Sequence, residues 1–112
     1  MSAATFLSGY RIMWMMVMFD LPTTTKSERK EYTRFRNYLL DKGFDMTQYS
    51  VYFRVASSKE RVKSLQKKIA QQLPRRGNVQ ILTITDKQYE DIKVYQGFIR
   101  KPNKKNDQLH LF

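Results

Sequence analysis

An uninterrupted apolar run of eight residues, from Ile12 to Phe19, is the feature that most constrains this fold. It is too short to cross a bilayer, which takes about 20 apolar residues. Asp20 and Pro22 follow it directly, so it does not continue as an amphipathic helix. A run of this length is typical of a strand buried on both faces. We therefore expect a sheet built around this strand.

The next segment predicts a helix from both its start and its end. Thr25 and Glu28 match a capping box, in which the N-cap and N3 side chains each accept a hydrogen bond from the other's backbone. Gly43 suits the left-handed residue after a helix that ends near Lys42. Between them lies one apolar stripe at helical spacing, formed by Tyr32, Phe35 and Leu39.

A second helix is predicted by the same two signals. Ser57 and Glu60 match another capping box, and Pro74 is expected to stop the helix before the turn at Gly77. The apolar stripe here consists of Val62, Leu65, Ile69 and Leu73.

The remaining segments are predicted to be extended. Residues 44–48 and 50–56 are separated by a break near Tyr49, and 79–85 is rich in β-branched residues. In 50–56, Val51, Phe53 and Val55 alternate with Tyr52 and Arg54, which indicates a half-buried strand. A turn over 86–90 leads to a short strand near 92–95. The order is β-α-β-β-α-β plus an extra C-terminal strand, an α+β, ferredoxin-like arrangement.

Three regions of the chain differ in composition. We expect residues 1–10 to be a flexible leader, 11–98 to form the domain, and 99–112 to be a basic tail with an apolar end. The apolar end could dock on a partner by strand addition, or it could simply fray. His110 is the only histidine and has no partner for a metal site or a catalytic triad.

The charge balance points to a polyanionic partner. The formal net charge is +11, with an isoelectric point near 10.0, and most of the excess lies outside the tail. The repulsion among so many positive charges is most often explained by binding to nucleic acid. The alternatives are an acidic membrane, an acidic protein, or no partner at all. The absence of cysteine excludes disulfides, thiolate metal sites and a cysteine nucleophile. We expect a cytoplasmic protein that does not associate with membranes.

The central strand also predicts a dimer. Both helices of this fold cover one face of the sheet, yet every position of the strand is apolar, so about half of its side chains point away from the helices. Leaving four such side chains in water forgoes roughly 1.5–3 kcal/mol each. A twofold homodimer that stacks its sheets would remove this cost. The alternative is that the extra strand and the tail cover the same face.

Asp20 is the best-placed carboxylate for chemistry, although an aspartate here is more often a turn or cap residue. One carboxylate holds Mg²⁺ or Mn²⁺ weakly, whereas two copies meeting at a twofold axis would supply two. Two such groups either share a proton or hold a divalent ion, which could activate water against a phosphodiester.

Two basic clusters could hold phosphates: Lys26, Arg29 and Lys30 at the start of the first helix, and Arg75 and Arg76 before the fourth strand. Each residue could equally be part of a solvated surface. Tyr49 and Tyr52 could stack on bases or pack in the core. No base-specific pattern stands out, so we expect contacts with the nucleic acid backbone.

Several segments stand in a characteristic order over about residues 12–98: Val17–Pro22, Glu28–Lys30, Gly43–Phe44, Gln48–Tyr52 and Gly77–Tyr89. Taken together, they resemble one known family, the CRISPR-associated endoribonuclease family. This is the small core protein of CRISPR adaptation, and the details are most similar to members from type II systems. The chain departs from the family in a longer leader and in Phe19, where many members have tyrosine.

The resemblance implies a ferredoxin-like homodimer with a metal-binding aspartate, here Asp20. It implies Mg²⁺-dependent endonuclease activity on single-stranded RNA or double-stranded DNA. It also implies a role in spacer acquisition, in which the dimer bridges two dimers of the adaptation integrase and supports duplex DNA. Two alternatives remain: a catalytically silent DNA-binding scaffold of the same fold, and an RNA-binding module of the RRM type, which would show basic and aromatic residues on its sheet.

Overall fold

The computed structural model describes residues 12–100 and 109–111. Its main element is a four-stranded antiparallel sheet in the order β2-β3-β1-β4. The strands are β1 (Met13–Asp20), β2 (Asp45–Gln48), β3 (Val51–Ala56) and β4 (Asn78–Thr85). The helices are α1 (Lys26–Asp41), α2 (Lys59–Ala70) and the short α3 (Asp86–Glu90). The order β-α-β-β-α-β confirms the α+β, ferredoxin-like prediction.

Strand β1 lies at the centre of the sheet, between β3 and β4. Its alternate residues Met13, Met15, Val17 and Phe19 are buried in the core, while the apolar residues between them are only half-buried. Within one chain the strand is therefore buried on one face, not on both as its composition indicated. Helices α1 and α2 cover one side of the sheet and leave most of the other side of β1 uncovered.

Helix α1 begins and ends as predicted. The Thr25 hydroxyl accepts a hydrogen bond from the Glu28 backbone amide at 3.1 Å, and the Glu28 carboxylate accepts one from the Thr25 amide at 2.9 Å. Gly43 follows the C-cap with a φ of +89°, the left-handed region that favours glycine. Phe35 and Leu39 are fully buried against the sheet, so the apolar stripe anchors the helix.

Helix α2 differs from the prediction at both ends. Ser58, not Ser57, is the N-cap, and its hydroxyl accepts a hydrogen bond from the Arg61 amide at 3.2 Å. The N3 residue is then Arg61, so Glu60 cannot complete a capping box. The helix ends at Ala70, and Leu73 is 47% exposed because the chain has already left the helical path.

We call the uncovered side of the sheet the open face. On this face the side chains form three rows that cross β3, β1 and β4. In each row a residue of β1 lies between its partner in β3 and its partner in β4. Strand β3 is half-buried as predicted, and it is Tyr52 and Ala56 that enter the core. The open-face rows are Val55–Trp14–Ile84, Phe53–Met16–Leu82 and Val51–Met18–Gln80.

One end of the open face is partly covered by α3. The Tyr89 ring stacks on Trp14 with centroids 3.7 Å apart, and the Trp14 indole donates a hydrogen bond to the Asp86 carboxylate at 2.7 Å. This cover lies at the end of β1 opposite Asp20. Six of the eight apolar side chains in the three rows are half-buried, and Val55 and Leu82 are exposed.

The C-terminal strand was predicted in the wrong place. Residues 92–97 have no regular structure, since no strand lies beside them in the described part of the chain. Instead β5 (Phe98–Arg100) pairs with β6 (Leu109–Leu111) as a separate antiparallel sheet. The leader 1–10 and tail residues 101–108 and 112 lie outside the described residues. In the described part, no helix has the length and hydropathy needed to span a bilayer.

Candidate nucleic-acid and metal site

Asp20 is the last residue of β1 and is exposed to solvent. Its Cα lies opposite that of Asn78, and the backbone amide of Phe19 donates to the Ser50 carbonyl at 3.1 Å. The β2–β3 turn is thereby tied to the residue before Asp20. The result is a cavity of about 340 Å³, lined by Met18, Phe19, Asp20, Tyr49, Ser50, Val51, Asn78 and Gln80.

Gly77 fixes the backbone that carries Asp20. Its φ is +93°, and a Cβ at this position would lie 2.6 Å from the Asp20 carbonyl oxygen and 2.7 Å from a Leu21 methyl carbon. No side chain fits there without moving the end of β1. The sequence indicated a turn at Gly77, but it carried no signal of the close approach to Asp20.

The donors at this cavity are few. Asp20 is its only carboxylate, and Asn78 and Gln80 add side-chain amide oxygens. Among the described residues, no group of three or more His, Cys, Asp or Glu side chains is close enough to hold a metal ion. Carboxylate and amide oxygens are suitable ligands for Mg²⁺, but one carboxylate is a minimal set. The donor chemistry therefore fits a divalent cation only if a second copy adds its own Asp20.

Of the two predicted basic clusters, only Arg75 and Arg76 line a groove beside α1. The start of α1 and the segment before β4 face each other across a cavity of about 320 Å³, whose lining includes Pro22, Thr25, Glu28, Arg75 and Arg76. Lys26, Arg29 and Lys30 are exposed on the first turns of α1. None of these three residues lines the cavity, so the structure does not bring the two predicted clusters together there.

Two of the predicted phosphate-binding residues already have partners within the chain. The Arg29 guanidinium donates to the backbone carbonyls of Thr23 and Thr24 at 3.1 and 2.8 Å. Arg76 is 3.7 Å from the Glu28 carboxylate, with its own side chain 78% exposed. The Thr25 backbone amide, with smaller contributions from Thr24 and Arg76, lowers the pKa of Glu28 below its usual 4.5. Glu28 is thus an anion that partly offsets Arg76.

The two tyrosines have different environments. Tyr52 is fully buried, so it packs in the core and is not available to a base. Tyr49 is 76% exposed, and its ring stacks on Tyr32 with centroids 6.2 Å apart and planes 21° from parallel. The Tyr32 phenol, by hydrogen bonding first and charge repulsion second, raises the pKa of the Tyr49 hydroxyl above its usual 10.0.

Comparison with known proteins decides the family. The family model described as CRISPR associated protein Cas2 matches residues 13–92, from the start of β1 to just past α3. The chain belongs to the Cas2 family. It is 52% identical over 107 residues to a protein of Paracidovorax avenae named CRISPR-associated endoribonuclease Cas2, covering 95% of this chain and 99% of that protein. The family resemblance in the sequence is confirmed.

Other Cas2 relatives are similar over most of their length. A Flavobacterium psychrophilum protein of the same name is 42% identical over 111 residues, covering 96% of this chain and 95% of its own. A third, from Parvibaculum lavamentivorans, is 48% identical over 101 residues, covering 89% of this chain and all of its own. The Cas2 match includes Asp20 and Tyr49, which line the cavity at the end of β1, and Gly77, which packs against the Asp20 backbone.

Proposed function

We propose that this Cas2-family protein is a homodimeric, metal-dependent endonuclease of a CRISPR system. The observation that carries the proposal is the exposed Asp20 carboxylate at the end of the central strand. It lies beside the open face, on which every side chain of the three rows except Gln80 is apolar. The relatives named endoribonucleases support phosphodiester cleavage. Single-stranded RNA and double-stranded DNA are the two candidate substrates.

The open face supports the proposed homodimer. Eight of the nine side chains in its three rows are apolar, and Tyr89 packs on only two of them, Trp14 and Phe53. A contiguous apolar patch of this kind on a basic protein marks an interaction surface. Stacking the open faces of two copies removes Met16 and Met18 from water, and it brings the two β1 strands together. In this proposal the twofold axis passes near the two β1 strands so that the two Asp20 residues face each other.

Asp20 and its symmetry mate would hold Mg²⁺ or Mn²⁺, with Asn78 as a neighbouring amide oxygen in each copy. When bound, such an ion would activate a water molecule and offset the charge that develops on the phosphate. Without the ion, two exposed carboxylates would repel both each other and the phosphate backbone. In this proposal Asp20 is the only protein carboxylate that touches the reacting groups.

Nucleic acid binding is attributed to the basic clusters beside the start of α1. Lys26, Lys30 and Arg75 are exposed and would pair with phosphates. The charge of Arg76 is partly offset by Glu28. Arg29 mainly holds the loop before α1 through its two hydrogen bonds to backbone carbonyls. Such contacts bind any sequence and weaken as salt rises. This fits a cytoplasmic protein that supports duplex DNA in spacer acquisition and bridges two dimers of the adaptation integrase.

The test is cleavage by purified Asp20→Ala protein. We expect the variant to lose Mg²⁺-dependent cleavage of single-stranded RNA or duplex DNA and to keep its oligomeric state and its affinity for nucleic acid, because the side chain is exposed. Asp45→Ala is the matched control, since Asp45 is also an exposed strand carboxylate but pairs with Phe53, away from the Asp20 end. Undiminished cleavage by Asp20→Ala would overturn the assignment.

A catalytically silent scaffold is the second candidate, favoured by the sparse donor set among the described residues of one chain. It predicts that wild-type protein binds duplex DNA and supports integration, but shows no metal-dependent cleavage that Asp20→Ala removes. An integration assay with and without Asp20 separates the two functions. The RRM-type alternative finds no support, because the three rows of the open face contain no lysine or arginine.

A further inference from the structure

We propose that Tyr49 is a stacking platform for an unpaired nucleobase, and that it places the adjoining phosphodiester at Asp20. The inference deepens the proposed function, on which it rests, by naming the residue that selects unpaired nucleotides at that site. It stands on four observations: the exposure of Tyr49, the support beneath its ring, the rigid link between its turn and β1, and the cavity it shares with Asp20.

The ring of Tyr49 has one supported face and one accessible face. Tyr32 lies against it in a nearly parallel arrangement, 6.2 Å between centroids, yet 76% of Tyr49 remains exposed. A large aromatic side chain at a turn gains little from this exposure in an isolated protein. Aromatic rings displayed in this way are what proteins use to bind single-stranded nucleic acid, since every base has a π-face.

The support beneath Tyr49 is fixed by the core. The half-buried Tyr32 ring meets Phe19 edge to face, 5.7 Å between centroids, and its hydroxyl lies 3.4 Å from that of Ser50. Tyr32 thus connects the platform to the strand that ends at Asp20. A ring held in this way loses little side-chain entropy when a base stacks on it.

The turn that carries Tyr49 is itself tied to the site. Ser50 has a φ of +63°, an uncommon left-handed conformation for a residue other than glycine, and its carbonyl accepts the Phe19 amide hydrogen bond at 3.1 Å. Strain of this kind persists where the surroundings hold the backbone in place. Tyr49 therefore keeps a fixed position relative to the last residues of β1.

The shared cavity contains groups suited to the rest of a nucleotide. Tyr49 and Asp20 both line it, together with the exposed amides of Asn78 and Gln80. An amide can donate to a phosphate oxygen or to a base edge. The bases of an intact duplex are stacked within the helix and cannot reach Tyr49, so the platform favours single-stranded or locally unpaired substrates.

The decisive experiment measures binding without cleavage. In an Asp20→Asn background, protein is titrated with a single-stranded RNA that carries 2-aminopurine, with single-stranded DNA of the same sequence, and with the matching duplex. We expect Tyr49→Ala to lower the affinity for both single strands by about 5- to 150-fold and to abolish the stacking-dependent quenching of 2-aminopurine. Affinity for the duplex should be unchanged.

Two further variants show whether the loss of affinity comes from the stacked ring itself. Tyr49→Phe keeps the ring and should bind within about twofold of the parent, as expected for stacking. Tyr95→Ala removes an even more exposed tyrosine that does not line the cavity and should leave single-strand binding unchanged. The melting temperature should be the same for all variants, since the exposed Tyr49 ring contributes little to the core.

The outcomes separate this inference from the proposed function. If Tyr49→Ala binds single strands as the parent does, or loses duplex binding equally, the platform is overturned, whatever the Asp20→Ala cleavage assay shows. If Asp20→Ala cleaves normally while Tyr49→Ala loses single-strand binding, the nuclease assignment fails and the platform stands. If the parent binds no single strand, the platform is overturned, and the duplex titration still tests nucleic acid binding by the basic clusters.

Discussion

On the helix-covered face of the sheet Met15 and Val17 are completely buried, whereas on the open face their neighbours Met16 and Met18 are only half-buried. The two sets alternate along the same strand and have the same apolar character. The covered face packs against α1 and α2 of its own chain, whereas α3 covers the open face only at Trp14 and Phe53. Under the proposed homodimer, the covered face of β1 would serve folding and its open face would serve association.

The largest expected difference between the faces comes from a charge placed on each. Met15→Glu should prevent folding, because a carboxylate buried without a partner costs several kcal/mol. Met16→Glu should fold, because the side chain can reach water, but it should remain monomeric at concentrations where the parent is a dimer. Circular dichroism and sedimentation equilibrium measure both effects. A Met16→Glu dimer as tight as the parent's would show that the open face is not the interface.

A second contrast concerns the two glycines with positive φ. Gly77→Ala should destabilise the protein and disturb the Asp20 end of the open face, since its Cβ would collide with the Asp20 carbonyl oxygen at 2.6 Å. Gly43→Ala has a similar φ, but the nearest atom is an Arg54 side-chain atom at 3.6 Å, an ordinary contact. We expect a cost of about 1 kcal/mol for Gly43→Ala and about 1–3 kcal/mol more for Gly77→Ala.

Denaturant unfolding measures this difference, and cleavage or binding assays show whether the Asp20 cavity is affected. Equal free energies of unfolding for the two glycine variants would mean that the close approach at Gly77 relaxes without cost. Cleavage and binding that are lost in Gly77→Ala but not in Gly43→Ala would link the backbone position of Asp20 to function.

The smallest effect tests how α2 is held on the covered face. Ser58→Ala should cost about 1 kcal/mol, because the Arg61 amide loses the hydroxyl that accepts its hydrogen bond. Ser57→Ala should change stability by less than about 0.5 kcal/mol, since this exposed serine lies before the cap. Thermal or denaturant unfolding of both variants is sufficient. A greater loss of stability in Ser57→Ala than in Ser58→Ala would mean that Ser57 is the N-cap, as the sequence indicated.

Prediction from the sequence was most accurate where the signals were local. The capping box at Thr25, the left-handed Gly43 and the apolar stripe of α1 each depend on residues a few positions apart, and the structure confirms all three. At α2 either of two adjacent serines, Ser57 or Ser58, could be the N-cap, and the local pattern alone did not distinguish between them. The strand expected at 92–95 was wrong because those residues have no neighbouring strand to pair with in the described chain.

The candidate site was predictable only in part. Asp20 was predicted as the candidate carboxylate because it ends a clearly defined strand, and the family resemblance is confirmed by the Cas2 comparison. The roles of Gly77 and Asn78 beside Asp20, and of Tyr32 beneath Tyr49, were not visible. These residues are distant in the chain and meet only through the strand register and the packing of α1 on the sheet.

The sequence by itself determined the order of elements, the apolar central strand, the family and the position of Asp20, because these depend on composition, periodicity and short motifs. The tertiary structure alone decided which alternating residues of β3 enter the core, that Arg75 and Arg76 line a groove beside α1, and that one tyrosine is buried while the other lines the cavity at Asp20. The physical reason is that the sequence pattern of a segment specifies which of its side chains share a face, whereas its neighbours in space decide which face is buried.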